Sequence, residues 1–396
     1  MKNGWQTKTL GEVLQKTETI NPLQSPEAEF DYIDVSSVSN ATFQIEETQR
    51  LKGKDAPSRA RRLVKANDVL FATVRPTLQR IAIVPDQLDN QVCSTGYFVL
   101  RPKVEVDYRF VFYSLFTENF MGQMESLQTG ASYPAVTDGQ VRAQVIPIPP
   151  LPEQRRIVGI LDEAFAGIAT AKANAEKNLQ NARALFESHL QAVFTQRGEG
   201  WVDTTIGQHI RFIDYRGKTP VKTQSGLRLI TAKNVKMGYV QDTPMEFIAP
   251  ESYEAWMTRG IPTMGDVLFT TEAPLANVAQ LETEEKVAFA QRVIIMQPDK
   301  TKLDSTFLKY LLLSSPVQKR IRDEGTGATV QGIKASLLKL IEISFPAQLS
   351  VQHRLVAKLD AIAEETQRLE SLYQRKLAAL DELKKSLLHR AFSGEL

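Results

Sequence analysis

At 396 residues, 42% hydrophobic and 24% charged, the chain is long enough for two cored domains and has an ordinary globular composition. A formal net charge of +2 argues against a uniformly basic nucleic-acid binder, so any such contact must rest on local clusters. The single cysteine, Cys93, excludes an internal disulfide framework, and no apolar run reaches the roughly 18 residues of a membrane span. Met1-Lys2-Asn3-Gly4 leads into no signal-peptide core, so a cytoplasmic protein is expected.

In chain order, residues 1–149 form a first globule. Short β-like runs such as Ile81-Ala82-Ile83-Val84 and Tyr97-Phe98-Val99-Leu100 alternate with turn signals. Tyr108, Val111, Phe112, Leu115 and Phe116 have helical spacing. Ile146-Pro147-Ile148-Pro149-Pro150-Leu151-Pro152 should end this globule, because proline fits neither a helix interior nor a central strand. A helical spacer, 150–198, follows. Ile157, Leu161, Ala164, Ile168, Ala171 and Ala175 step by four and three, and Leu179, Ala182, Phe186 and Val193 continue the stripe. A helix from about 155 to 195 would be roughly 60 Å long.

The next two segments repeat the first two. Gly4-Trp5 returns as Gly200-Trp201 (200 − 4 = 196), and Asp68-Val69-Leu70-Phe71 as Asp266-Val267-Leu268-Phe269 (266 − 68 = 198). Gly130-Ala131-Ser132 matches Gly327-Ala328-Thr329, and Gln154, Arg156, Leu161 and Asp162 match Gln352, Arg354, Leu359 and Asp360. A period this long is a domain plus a connector rather than a solenoid unit. The second globule is read as 199–346 and the second helical spacer as 347–396, with a stripe of Leu355, Leu359, Ile362, Leu369, Tyr373, Leu380, Leu383 and Leu387 from His353 on. Neither amphipathic helix can bury its stripe alone, so the two are expected to run antiparallel against each other. The fold class read from the sequence is therefore α+β, two pseudo-twofold globules joined by two long antiparallel coiled-coil helices.

Templates for catalysis fail. Arg216-Gly217-Lys218-Thr219 resembles the end of a phosphate loop, but Phe212 stands where its first glycine belongs. No G-x-G-x-x-G, H-E-x-x-H or G-x-S-x-G occurs. Asn21-Pro22-Leu23 lacks the proline and aromatic residue of an amino-methyltransferase loop, and His189, His209, His353 and His389 are scattered. Basic clusters are more informative. Lys52, Lys54, Arg59, Arg61, Arg62 and Lys65 crowd one turn-rich stretch, with Arg75 and Arg80 after it. Arg211, Arg216, Lys218, Lys222 and Arg228 occupy another, followed by Lys233, Asn234 and Lys236. Lysine and arginine neutralise phosphates, while Arg and Asn read base edges. The candidate DNA-binding residues are Arg59, Arg61, Arg62, Arg75 and Arg80 in the first globule, and Arg216, Lys218, Lys233 and Asn234 in the second.

Taken together the residues resemble the DNA-specificity subunits of type I restriction–modification systems, along essentially the whole chain. The most specific pieces are Pro150-Leu151-Pro152-Glu153-Gln154-Arg155-Arg156-Ile157, Arg216-Gly217-Lys218-Thr219-Pro220 and Ala391-Phe392-Ser393-Gly394-Glu395-Leu396. Leu229-Ile230-Thr231-Ala232-Lys233-Asn234-Val235 and Gly265-Asp266-Val267-Leu268-Phe269 are also similar; Ala347-Gln348-Leu349-Ser350-Val351-Gln352 departs, lacking the proline and glutamate of its first-half counterpart. The resemblance implies two target-recognition domains, each reading half of an interrupted, asymmetric double-stranded DNA site. It implies helical spacers that set half-site separation and dock two copies of a modification subunit. Those partners would methylate adenine with S-adenosylmethionine, and separate restriction subunits, a motor-nuclease, would cleave. The chain itself would hold no cofactor, no metal and no catalytic residue. Two other readings stand beside it: an S-adenosylmethionine-dependent methyltransferase–nuclease fusion with drifted motifs, and a coiled-coil protein scaffold that ignores DNA.

Overall fold

The structure, a computed structural model, describes residues 4–217, 219–327 and 330–396. Its chain divides into two compact units: residues up to 176 with Arg375–Leu396, and Lys177–Gln374. These units do not coincide with the four segments above, because each takes part of both long helices. The central helix spans Leu151–Thr195 and the C-terminal helix Leu349–Ser393, each 45 residues.

The first unit contains strands β1 (Gln6–Thr9), β2 (Glu29–Ile33), β3 (Gln49–Lys52), β4 (Ala60–Leu63), β5 (Val69–Ala72), β6 (Ile81–Ile83), β7 (Val92–Ser94), β8 (Tyr97–Leu100) and β9 (Val145–Ile148). One sheet has the order β6-β5-β8 and is antiparallel; a second has the order β3-β2-β7-β4, with β2 and β7 parallel. Successive side chains of a strand point to opposite faces. Accordingly Val69 and Phe71 of β5 enter one core with Phe110, Val111, Ile157 and Leu161, while Leu70 and Ala72 enter another with Ile33 and Cys93. That burial pushes the Cys93 thiol up to about 12, leaving it protonated and inert at neutral pH.

The second unit contains β10 (Trp201–Thr205), β11 (Ile210–Asp214), β12 (Leu227–Ile230), β13 (Glu246–Ile248), β14 (Val267–Thr271), β15 (Leu275–Gln280), β16 (Ala288–Phe289), β17 (Val293–Pro298) and β18 (Glu342–Pro346). β15-β14-β17 repeats β6-β5-β8, with β11 added at the edge, and parallel β12 and β16 repeat β2 and β7. Where β11 pairs with β17, the first unit shows, among the described residues, the isolated bridge Leu14–Pro102. Val267 and Phe269 again face one core and Leu268 the other.

The prolines behave less abruptly than the sequence suggests. Pro147 lies within β9, which pairs only with β1, so its missing N–H breaks no ladder on the open side. Pro152 sits in the first turn of the central helix, where backbone N–H groups have no helical acceptor. The C-terminal helix begins at Leu349, four residues before His353.

The expected stripes face inward within each unit, but in the C-terminal helix only Leu359 is buried and most of the others are half-buried. In the first unit Ile157, Leu161, Ile168 and Ala175 are buried, Lys172 pairs with Asp381 at 2.8 Å, and Arg156 donates to the Leu396 carbonyl at 2.7 Å. Partner numbers fall as central-helix numbers rise, so the two segments are antiparallel. In the second unit Arg183 pairs with Glu370 at 2.8 Å, and Leu190, Phe194 and Leu359 join the core. One stripe position faces outward: Leu383 is 47% exposed, and Lys384 turns inward instead, its ammonium 4.9 Å from the Phe43 ring and 5.2 Å from the Phe165 ring. Burial and the neighbouring Lys172 charge hold the Lys384 amine below its ordinary range.

Candidate nucleic-acid interface

Repeated residues hold each helix to its own unit by a common device. Gln154 is fully buried; its amide oxygen accepts from Asp107 N at 2.8 Å, and its nitrogen donates to Pro149 O at 2.8 Å and Glu105 O at 3.3 Å. Gln352 does the same with Asp304 N, Pro346 O and Lys302 O, at 2.8, 2.7 and 2.8 Å. Just over two turns further on, Tyr113 donates to Asp162 at 2.5 Å and Tyr310 to Asp360 at 2.6 Å. Burial, with the adjacent carboxylate second, pushes both phenols up, so they remain donors at all ordinary pH. Sequence repetition picked out Gln154, Asp162, Gln352 and Asp360 without revealing that they are clamps.

A second repeated feature lies at the tips of β5 and β14. Thr73 O accepts from Val136 N, and Thr271 O from Ile333 N, each at 2.9 Å. Val74 bridges to Ala135 and Glu272 to Gly332. Thr129 and Ala135 close a loop through paired 2.9 Å hydrogen bonds, and Thr326 and Gly332 do likewise. Arg75 and Ala273 both occupy left-handed backbone, at φ 51° and 48°. The backbones therefore match, whereas the side chains they display do not.

In the first unit this tip presents Arg75, exposed, with its guanidinium 4.8 Å from the Tyr133 ring and donating to Ser132 O at 3.2 Å. Tyr133 is 70% exposed, so aromatic and arginine planes are offered to solvent side by side. Arg59 is exposed, and its side chain has no protein partner among the described residues. The other three candidates are engaged. Arg61 donates to Ala60 O at 2.9 Å and Arg62 pairs with Asp138 at 2.8 Å. Arg80 donates to the carbonyls of Val35, Ser36 and Val38, at 3.4, 3.2 and 2.5 Å, and so ties a loop to β6.

In the second unit Arg216 grips Asp214 through two hydrogen bonds, at 2.8 and 2.6 Å. Burial pushes the Asp214 carboxyl up, but the hydrogen bonds and charge of Arg216 outweigh it and hold it below the usual range. Arg216 also walls two adjoining clefts, together with Glu272. Lys233 is exposed and lies 3.8 Å from Glu246. Asn234 is 1% exposed, accepts from Thr231 N at 3.1 Å, and donates to Gln241 O and Pro244 O at 3.2 and 3.0 Å. It closes its own loop and leaves no group for a base edge. Lys218 lies outside the described residues, as do Ala328 and Thr329 of the repeated Gly-Ala-Thr.

The basic clusters are thus less cationic than their sequence. Lys52 and Lys54 both pair with Glu27, Lys222 with Glu246, and Arg228 with Asp242, acids distant in sequence that no charge run reveals. Among the described residues no group of His, Cys, Asp and Glu could hold a metal ion, and no helix is long and apolar enough to cross a membrane.

Comparison with known proteins agrees with this architecture. The family described as type I restriction modification DNA specificity domain matches residues 2–180. The HindI specificity subunit of Haemophilus influenzae is 29% identical over 162 residues, 40% of this chain and 34% of that protein. The match therefore spans about a third of that relative's length. The EcoKI specificity subunit of Escherichia coli is 25% identical over 327 residues, 77% of this chain and 69% of that protein. Among solved structures, the HsdS subunit from Thermoanaerobacter tengcongensis has a TM-score of 0.68 at 27% identity, covering 100% of this chain and 98% of that one. A chain from a structural study of complex assembly and conformational transition of the type I R-M system reaches 0.87 at 28% identity, covering 100% and 99%.

Proposed function

We propose that this chain is the non-catalytic DNA-recognition subunit of a type I restriction–modification system, a reading supported by the specificity-domain match of residues 2–180 and by the likeness to solved specificity subunits. Each unit reads one half of an asymmetric, interrupted double-stranded DNA target. The long helices dock two copies of a modification subunit, which methylates adenine, and restriction subunits join that assembly in the cytoplasm.

The observation that carries this reading is the match of frame against the mismatch of display. The Gln154 and Gln352 clamps use the same three kinds of backbone partner, and the tip loops close through the same hydrogen bonds. What those loops expose differs: Arg75 with Tyr133 in one unit, Glu272 and its neighbours in the other. Two identical partners need a twofold frame, and two different half-sites need different readers. Within the first unit Arg59 and Arg75 are the proposed DNA contacts; Arg61, Arg62 and Arg80 support the loops that carry them. In the second unit Arg216 and Lys233 are proposed contacts, and Lys218 remains one from its sequence position. Half-sites on one face of the duplex would be separated by about 34–36 Å per helical turn.

The test is footprinting of the chain assembled with its modification subunit. Two protected stretches separated by an unprotected spacer are expected. No protection would instead favour a protein scaffold.

A further inference from the structure

Glu272, in the β14–β15 turn, and Arg292, just before β17, form a pair that neither charge runs nor repeats single out. Arg292 forms an ion pair with Glu272, Nε to Oε1 at 2.9 Å, and both side chains are about half exposed, at 51% and 46%. An exposed ion pair of this kind adds little to stability, so its placement needs another reason. Arg292 has φ 68° and its neighbour Gln291 φ 48°, two consecutive left-handed residues without glycine. Such backbone costs free energy and persists where the surroundings enforce it, often at functional sites.

The equivalent place in the first unit makes the contrast specific. Thr73 N donates to Gly96 O at 2.8 Å, and Thr271 N to Arg292 O at 2.9 Å, so Gly96 and Arg292 occupy one frame position. At Gly96 an added Cβ would lie 2.5 Å from Val35 Cγ2, so a side chain there would have to displace Val35. The second unit opens that position and fills it with arginine. It also opens the facing position: Gly332 lies across from Glu272, where an added Cβ would come within 3.2 Å of Glu272 Cβ. Two departures from the shared frame thus make room for one pair.

The geometry points to a base-reading role. Arg292 is held by charge beside Glu272, and its two terminal NH2 groups make no hydrogen bond to the described residues. That is the fork an arginine uses on guanine O6 and N7 in the major groove. Gln291, adjacent, is held by donating to Thr219 Oγ1 at 2.8 Å, which fixes the same turn against the Arg216–Thr219 loop. We infer that Arg292 reads a guanine in the half-site of the second unit, and that Glu272 is the positioning residue that aims it. This rests on the DNA-recognition role proposed above.

The experiment uses the full chain with its modification subunits and compares methylation of a library in which every target base pair is substituted singly. Arg292→Lys keeps the charge and loses the fork. It is expected to lower discrimination at one guanine of one half-site by about tenfold or more, the size of a good bidentate contact, and to leave the other half-site unchanged. Glu272→Ala and Glu272→Gln both remove the charge that pairs with Arg292 and are both expected to relax the same position. Unchanged discrimination, a uniform loss across all substitutions, or relaxation at a base other than guanine would overturn the inference. If the wild-type complex shows no two-part target at all, it is the recognition role itself that fails.

Discussion

Gln154→Leu removes one clamp with little change in volume. The two bonds at 2.8 Å, from Asp107 N and to Pro149 O, are lost in a site with no solvent exposure, together with the weaker one to Glu105 O. Each stranded buried group costs about 1–3 kcal/mol, and the added apolar burial of leucine returns about 1 kcal/mol. The net loss should be about 2–4 kcal/mol. For a unit of this size that lowers Tm by about 5–15 °C. Calorimetry of the intact chain should show the drop, and Gln352→Leu should produce a drop of similar size through the second unit. If either variant melts within about 2 °C of wild type, the glutamines are not holding helix to globule.

Arg80→Ala should destabilise by about 2–3 kcal/mol in denaturant titration, because three carbonyls lose a charged donor. Arg59→Ala should leave stability unchanged, yet weaken DNA binding by the assembled complex and lower the salt slope by about one. For Lys384, whose amine is held low by burial and then by Lys172, the unfolded chain binds the extra proton between the folded value and 10.5. Stability of wild type relative to Lys384→Met should therefore rise with pH through that interval, and a flat or falling difference in pH-dependent unfolding would refute it.

The frame was legible because it is periodic. Apolar steps of three and four mark both helices, and Gln154 and Gln352 stand out by repetition, although nothing in their spacing says that each caps three backbone groups. Leu383 misled because heptad counting cannot show that Lys384 prefers the cleft between Phe43 and Phe165. The candidate interface was legible in part. Arg59 and Arg75 are exposed as expected, whereas Arg62 and Arg80 are occupied by Asp138 and by carbonyls brought from far along the chain. Asn234 was drawn by its polar type, yet its amide serves its own loop. Glu272 and Arg292 escaped because they are twenty positions apart, and left-handed backbone without glycine leaves no sequence signature.

In the proposed role this chain chooses a two-part DNA sequence for modification by its partners. Methylome sequencing of the host with and without the gene tests it most directly. An adenine-methylated motif of two unlike halves, separated by a fixed spacer, should be present with the gene and absent without it. Identical methylomes in the two strains would contradict the account.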